Sequence, residues 1–280
     1  MTAPDIARNP DVSQAVPERI VWHAGFIKTG TTAVQNTLRE NRSKLPERLT
    51  FVARGSMSYQ LRQKAARYWE NQSAENRAAL VSATRALCEE LGQRGTGVAI
   101  ISDENITGYE PYSDRGTCLE AATLILPVIE EAASTCGVGE QSFVLYTREP
   151  EGWLRSCHNQ MVKRQRCTQS YDDFRASGPS DWDWEAGLEA LSARLQGRLR
   201  VYAMETEIAA NVPMGSGVFQ AAGLDQETIA ELEQPRRRNE SLSPEALHFM
   251  LTANRSSLDD ATVATLRKFV IQHPEAFTSG

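Results

Sequence analysis

Residues 19–32 read Arg19-Ile-Val-Trp-His-Ala-Gly-Phe-Ile-Lys-Thr-Gly-Thr-Thr32. The start of this stretch is rich in β-formers and stops at Gly25, so it predicts a strand. A helix is predicted from Thr31 to Arg42, because its apolar residues recur on one helical face. A glycine-bearing loop therefore joins a strand directly to a helix, which is the repeating unit of an α/β fold.

The loop between this strand and this helix carries groups that bind anions. Gly25 and Gly30 allow the backbone to turn and let an anion approach the amides. The helix N-terminus adds unpaired N–H groups and a partial positive charge, and Lys28 adds a full one. The two glycines have the spacing of a nucleoside-triphosphate P-loop, but Thr31 stands where that motif has its lysine. The pattern predicts an oxyanion-binding loop whose lysine comes early.

The run from His23 to Thr32 resembles the 5′-phosphosulfate loop of the sulfotransferases that use 3′-phosphoadenosine 5′-phosphosulfate (PAPS), and the bacterial, carbohydrate-type members most closely. The resemblance implies an α/β, P-loop-type three-layer fold with a central, mainly parallel β-sheet flanked by helices. It also implies that Lys28 contacts the oxygen bridging sulfate and phosphate. The residues that it assigns to the 5′ end of PAPS are Gly25, Lys28, Thr29, Gly30, Thr31 and Thr32.

A second strand, loop and helix is predicted where Ser142–Thr147 is followed by Arg148 and the helix Glu151–Arg164. The 3′-phosphate site of the family resembles this arrangement, with an arginine at a strand end and a serine eight residues later. Arg148 and Ser156 are the matching residues. A guanidinium grips a phosphate with two hydrogen bonds, and a hydroxyl supplies a third donor. Alternatively, the arginine is exposed and pairs with a neighbouring glutamate.

Three residues are candidates for the general base that sulfuryl transfer to an alcohol requires. Asp103 and Glu104 follow the buried strand Gly97–Ser102, so both lie at the sheet edge where parallel α/β folds bind ligands. Because this segment resembles one common in bacterial sulfotransferases, Glu104 is preferred. Asp103 is the fallback, since alternation points the two side chains in opposite directions. His23, at the end of the first strand, is the competitor. Alternatively, Glu104 only caps the turn or pairs with a cation.

A basic run, Arg236–Arg238, precedes a helix start at Ser243 and Pro244. Cytosolic sulfotransferases close over the adenosine phosphate with a Lys-x-Gly-x-x-Gly motif, which this sequence lacks. The resemblance therefore assigns no closing residue. We assign Arg237 as a phosphate clamp, and a solvated charge run is the alternative.

Composition limits the other classes of protein. The 280 residues are 41% hydrophobic and 24% charged, which is ordinary for a globular chain. The net charge of −6 argues against nucleic-acid binding. Five cysteines without a Cys-x-x-Cys pair favour neither a disulfide framework nor a zinc site, and no metal is expected. No stretch reaches the roughly 20 apolar residues of a transmembrane segment.

Residues 1–18 are predicted to form a flexible leader, and residues 19–280 a single sulfotransferase-like domain with a helical C-terminal third. The leader has no apolar core segment of a signal peptide. Together with cysteines that read as reduced, this favours a cytoplasmic protein.

These patterns predict an enzyme that moves a sulfuryl group from PAPS to a hydroxyl or amine acceptor, with a glycan or glycolipid favoured. One alternative is a P-loop kinase, because Val98–Asp103 resembles the strand that carries a magnesium-binding aspartate. The other is a non-catalytic nucleotide-binding module on the same fold.

Overall fold

The computed structural model describes residues 16–180, 182–234 and 241–278. Most of the predicted leader lies outside these residues, and so does Arg237. Within them, helices flank both faces of a sheet of five parallel strands, so the predicted three-layer α/β architecture is confirmed. No helix in the described ranges is long and apolar enough to cross a membrane.

Seven strands in the described part of the chain form two sheets. The main sheet has the order β2-β3-β1-β6-β7, and β4 pairs with β5 in a small antiparallel hairpin. In chain order the strands are β1 Arg19–His23, β2 Leu49–Ala53, β3 Val98–Ser102, β4 Tyr112–Ser113, β5 Gly116–Thr117, β6 Glu140–Thr147 and β7 Leu199–Ala203.

The helices of the described residues fall into a sheet-covering set and a C-terminal pair. In chain order they are α1 Thr31–Glu40, α2 Ser56–Glu70, α3 Ala74–Gln93, α4 Cys118–Thr135, α5 Pro150–Arg164, α6 Tyr171–Ala176, α7 Trp184–Arg194, α8 Met204–Ala209, α9 Ser216–Ala221, α10 Gln226–Ala230, α11 Pro244–Arg255 and α12 Asp260–Gln272.

Strand alternation divides the core into two layers. In β1, Ile20 and Trp22 pack with α2, α3, α4, α5 and α7 on one face. Val21 points to the other face, where it packs with α1 and α9. Both layers are fully shielded from solvent at these positions, so β1 reads as a continuous apolar run, as a central parallel strand should.

The chain reverses its direction across the sheet at β1. From β1 it passes through α1 to the far strand β2, and the later crossovers return in the opposite direction on the opposite face. Crossovers between parallel strands are almost always right-handed, so a chain that reverses its direction across the sheet must place its helices on the opposite face. The loop after β1 therefore lies between the loops after β3 and β6, at the type of position where α/β sheets bind ligands.

The helix α4 runs without a break through Pro127, a residue type that usually interrupts or kinks a helix. Ala121, Ala122, Ile129 and Ala133 of α4 are buried, and we infer that this burial outweighs the one hydrogen bond that proline removes. The helices α11 and α12 pack around Val162 of α5 in a separate cluster, whereas α9 and α10 contribute to the core on the sheet.

Candidate functional site

The loop after β1 is held in an unusual backbone conformation. Lys28 has a φ of 64°, in the left-handed region that non-glycine residues rarely adopt. Gly30 is the N-cap of α1 and has a φ of 94°. The Thr29 hydroxyl donates to the carbonyl of Phe26 at 2.7 Å, which closes the loop on itself. Backbone strain of this kind persists only where the surroundings impose it, and it is common at binding sites.

Neighbouring elements fix the loop from two sides. The indole Nε1 of Trp153, in α5, donates to the carbonyl of Ile27 at 2.8 Å. The Thr107 hydroxyl, just after β3, donates to the carbonyl of Gly25 at 2.9 Å. Both bonds are buried, so the loops after β1, β3 and β6 form one connected edge.

The segment after β7 packs against the third side of the loop. A Cβ added to Gly30 would lie 3.1 Å from the sulfur of Met214. That methionine precedes a turn in which the buried Glu207 accepts hydrogen bonds from the amides of Gly215 and Gly217, at 2.8 and 3.1 Å. The hydroxyl of Tyr146 also donates to Glu207 at 2.7 Å. Glu207 thus holds the glycine-rich turn of residues 214–217 in place beside the loop.

The first turn of α1 offers two hydroxyl groups. The Thr31 side chain is 4% exposed, and its hydroxyl has no hydrogen-bond partner among the described residues. Buried hydroxyls are normally paired, so an unpaired one at a helix N-terminus suits an incoming acceptor such as a phosphate oxygen. Thr32 is exposed.

Lys28 is surrounded by charged groups. Burial lowers the pKa of its ammonium group, the positive charges of Arg148 and Arg164 lower it further, and the carboxylate of Glu104 raises it. Cys157 also lies close, but burial raises the pKa of its thiol, so it stays neutral. Lys28, Glu104 and Arg148 follow the neighbouring parallel strands β1, β3 and β6, so three predicted site residues lie along one edge of the sheet.

Arg148 forms no ion pair with its neighbouring glutamates among the described residues, although its positive charge contributes to lowering the pKa of Glu149, after the two backbone amides that this carboxylate accepts from. Glu149 caps α5 by accepting from two backbone amides, and Glu151 pairs with Arg155. In the described ranges the Arg148 guanidinium has no hydrogen bond or ion pair, whereas its carbonyl accepts from Trp184. The alternative of an arginine paired with these glutamates is not observed.

Ser156 lies in α5, one and a half turns after the helix begins, and is 7% exposed. Arg148 lies between β6 and α5, two residues before the helix begins, and Ser156 lies in the first half of the helix, so both predicted 3′-phosphate residues belong to one strand–helix unit.

Asp103 and Glu104 have different surroundings. Asp103 is fully buried, forms a 2.5 Å ion pair with Arg62, and accepts from the Ser58 hydroxyl at 2.7 Å and from the amide of Asn105 at 3.1 Å. Glu104 is half-buried, and its Oε2 has no partner among the described residues. Burial raises the pKa of Glu104. Of the two carboxylates, Glu104 is therefore the one available to take a proton.

His23 is completely buried. Its Nδ1 lies 2.9 Å from the Ser102 hydroxyl, and its ring meets Tyr146 edge-on. Burial lowers the pKa of His23 to about 4. The side chain is shielded from solvent in the described arrangement, and its Nε2 has no hydrogen-bond partner among the described residues, so the role of His23 as a base stays a prediction.

The described residues contain no group of three or more His, Cys, Asp or Glu side chains arranged to hold a metal. No family model matches the sequence, and no curated protein compared with it is significantly similar.

Sequence reasoning missed the residues that support the site. Arg62 and Ser58 hold Asp103, Trp153 and Thr107 hold the loop, and Glu207 holds the turn beside Gly30. None of them lies in a motif. The only signal for Arg62 was the strand-end aspartate, since a carboxylate placed there is buried and needs a cation.

Proposed function

We propose that this chain is a sulfotransferase that moves a sulfuryl group from PAPS to a hydroxyl or amine acceptor, with a glycan or glycolipid favoured. The observation that carries the proposal is that Lys28 and Arg148 follow the adjacent parallel strands β1 and β6, and that the buried hydrogen bond from Trp153 to Ile27 joins the two segments. The charges of Lys28 and Arg148 lie near enough for the arginine to lower the pKa of the lysine, and neither forms an ion pair with a described residue. Two unpaired neighbouring cations repel one another, and a polyanion bound between them relieves that cost.

The donor fits the residues at this edge. The loop amides, Lys28 and the unpaired Thr31 hydroxyl would hold the 5′-phosphosulfate. Arg148 and Ser156 would hold the 3′-phosphate, in which the guanidinium supplies two parallel hydrogen bonds. Arg237 remains a proposed clamp from the sequence alone.

The chemical step needs a base and an electrostatic stabiliser. The Glu104 carboxylate takes the proton of the acceptor hydroxyl as the hydroxyl oxygen bonds to sulfur. The bond between sulfur and the bridging oxygen breaks in line, and its electron pair goes to the phosphate that leaves. The Lys28 ammonium group stabilises that charge, which is the kind of contribution that usually lowers a barrier most.

The environment of Asp103 argues against the kinase alternative. A kinase would use this strand-end aspartate to bind magnesium. Here the carboxylate already accepts from Arg62, Ser58 and the amide of Asn105. Magnesium would have to displace a buried ion pair to reach it.

A binding experiment tests the proposal. The desulfated product, 3′-phosphoadenosine 5′-phosphate (PAP), should raise the melting temperature in the presence of EDTA, with a gain of about 2.7 kcal/mol at a hundred times its Kd. Lys28→Ala and Arg148→Ala should reduce the gain, and Arg155→Ala, on an exposed face of α5, should not. A larger shift with ATP and magnesium than with PAP would favour a kinase.

A further inference from the structure

The surface beside Glu104, on the side of β2, contains charged and aromatic groups that the donor does not use. Ala53 pairs with Ser102 in the sheet, so Arg54 lies next to Asp103 and one residue from Glu104. The Ser58 hydroxyl bonds Asp103 across the same gap, which fixes the start of α2 against the end of β3. This surface borders the half of the edge away from Arg148, since β1 separates β3 from β6.

Two cations reach this surface, and they differ in availability. Arg62 is committed, because it forms the buried ion pair with Asp103. Arg54 is exposed, and it forms no ion pair or hydrogen bond with any residue that the structure describes. Its charge nevertheless reaches the carboxylate of Glu104, whose pKa it lowers slightly against the larger effect of burial. A cation this close to the base, and unpaired, is available to a bound molecule.

Two exposed tyrosines flank these cations. Tyr59 is 46% exposed, and Arg62 covers its ring at 5.5 Å, which stiffens the ring while leaving much of it accessible. Tyr109 is 43% exposed, and its carbonyl accepts from Gln165 at the end of α5. Exposed aromatic faces of this kind bind flat apolar faces, such as those of sugar rings.

We propose that the acceptor is an anionic sugar, whose carboxylate or sulfate is held by Arg54 while its ring packs on Tyr59 or Tyr109 and a hydroxyl reaches Glu104. This inference rests on the proposed function. Arg54 is thereby a specificity-determining residue, because it selects the anionic sugar over its neutral counterpart without taking part in the chemical step. The tyrosines bind both kinds of sugar alike.

A matched pair of acceptors tests this assignment. We would measure kcat/KM for sulfation of the ring hydroxyls of 4-nitrophenyl β-D-glucuronide and 4-nitrophenyl β-D-glucoside, which differ at C6, where the first has a carboxylate and the second a hydroxymethyl group. The parent protein should prefer the glucuronide by about tenfold or more, the size expected for one charge-assisted hydrogen bond. Arg54→Ala should remove the preference, and Arg54→Lys should keep part of it. Tyr59→Ala should weaken both acceptors equally.

Arg67→Ala is the control, because Arg67 is an exposed residue of the same helix as Ser58 and Tyr59. It should leave both rates unchanged. Calorimetric titration of each sugar into the PAP-saturated protein gives a readout that does not depend on turnover, and only the glucuronide should bind with an affinity that Arg54→Ala reduces.

Three results would overturn the inference: equal kcat/KM for the two sugars, a preference that survives Arg54→Ala, or no binding of either sugar to the PAP complex. Each of these leaves the donor assignment intact as long as PAP binds. Failure of PAP to bind would instead overturn the proposed function and this inference together.

Discussion

Asp103 and Glu104 are consecutive residues with opposite environments: Arg62, Ser58 and a backbone amide saturate the first carboxylate, whereas one oxygen of the second has no described partner. A carboxylate with several hydrogen-bond partners thus lies next to one with an unpartnered oxygen, and substitutions can compare the roles of the two.

Glu104→Gln should lower kcat by about 10²–10⁴-fold, because the amide cannot accept the acceptor's proton. The melting temperature should change little, since no described hydrogen bond of this side chain is lost. Asp103→Asn should do the reverse and mainly destabilise the fold, because Arg62 is left without its buried counter-charge, at a cost of about 3–5 kcal/mol. Steady-state kinetics and chemical denaturation measure the two effects. Equal activity loss in both variants would remove the distinction.

The pH profile of kcat/KM should be bell-shaped and narrow. Glu104 must be ionised to act as base, and burial raises its pKa, so the acidic limb should lie above the ordinary value of about 4.3. Lys28 must be protonated, and burial with the nearby Arg148 charge lowers its pKa, so the basic limb should lie below about 10.4. Glu104→Gln should abolish the acidic limb of its residual activity. An acidic limb that persists unchanged would point to another base.

Lys28→Gly should separate stability from function. Glycine adopts the left-handed φ of 64° without strain, which should add about 1–2 kcal/mol to the free energy of unfolding. This gain should slightly exceed the conformational entropy that glycine loses on folding. The variant should therefore be as stable as the parent or more so, and have almost no turnover. Gln196→Gly is the control, because Gln196 has a φ of 49° and is exposed, and it should be stabilised without loss of activity. Marked destabilisation of Lys28→Gly would contradict this account of the loop.

Gly30→Ala should lower the free energy of unfolding by more than the strained backbone conformation alone explains. The left-handed φ costs alanine about 1–2 kcal/mol, and the new Cβ would also press on Met214. Gly95→Ala isolates the first effect, because Gly95 has a φ of 72° and nothing within 4 Å of an added Cβ. Urea denaturation should give the larger loss for Gly30→Ala, and only that variant should lose affinity for PAP. Similar stability and affinity losses would mean that Met214 moves aside freely.

Acid should destabilise the protein through His23. Its pKa in the fold is about 4, against 6.5 for the free side chain, so the stability it contributes is complete above pH 6.5 and is lost as the pH falls towards 4. The loss should reach about 3 kcal/mol. The difference in unfolding free energy between His23→Gln and the parent should change by that amount between these two pH values. A difference that does not vary with pH would mean that the ring is accessible to protons in the fold.

Local sequence patterns predicted most of the fold and the position of the loop around Lys28. The strand β1, the loop around Lys28 and the helix α1 are contiguous, so their chemistry is readable from the order of residues. Arg148 and Ser156 lie on one strand–helix unit and were predicted for the same reason. Parallel-sheet topology then brings the two units to one edge, because strands that follow the same direction end on the same side.

Contacts between distant segments were not predictable. The partner of Asp103 comes from the middle of α2, and nothing in the sequence around Arg62 distinguishes it from other helical arginines. The same holds for Glu207, whose hydrogen bonds to Gly215 and Gly217 depend on how a turn folds back. Local propensity alone would also end α4 at Pro127, because it takes no account of how deeply this helix is buried.

The helix α5 has one further consequence. It begins beside Arg148, carries Ser156, bonds the loop through Trp153 and is packed into two separate clusters, so it cannot easily shift. The helix α5 thus fixes the distance between the loop of Lys28 and the residues Arg148 and Ser156, which are the two proposed anion-binding positions. On the proposed function, the protein would distinguish donors by the distance between their two anionic groups. A nucleotide without the 3′-phosphate would leave the site at Arg148 and Ser156 empty, whatever base it carried.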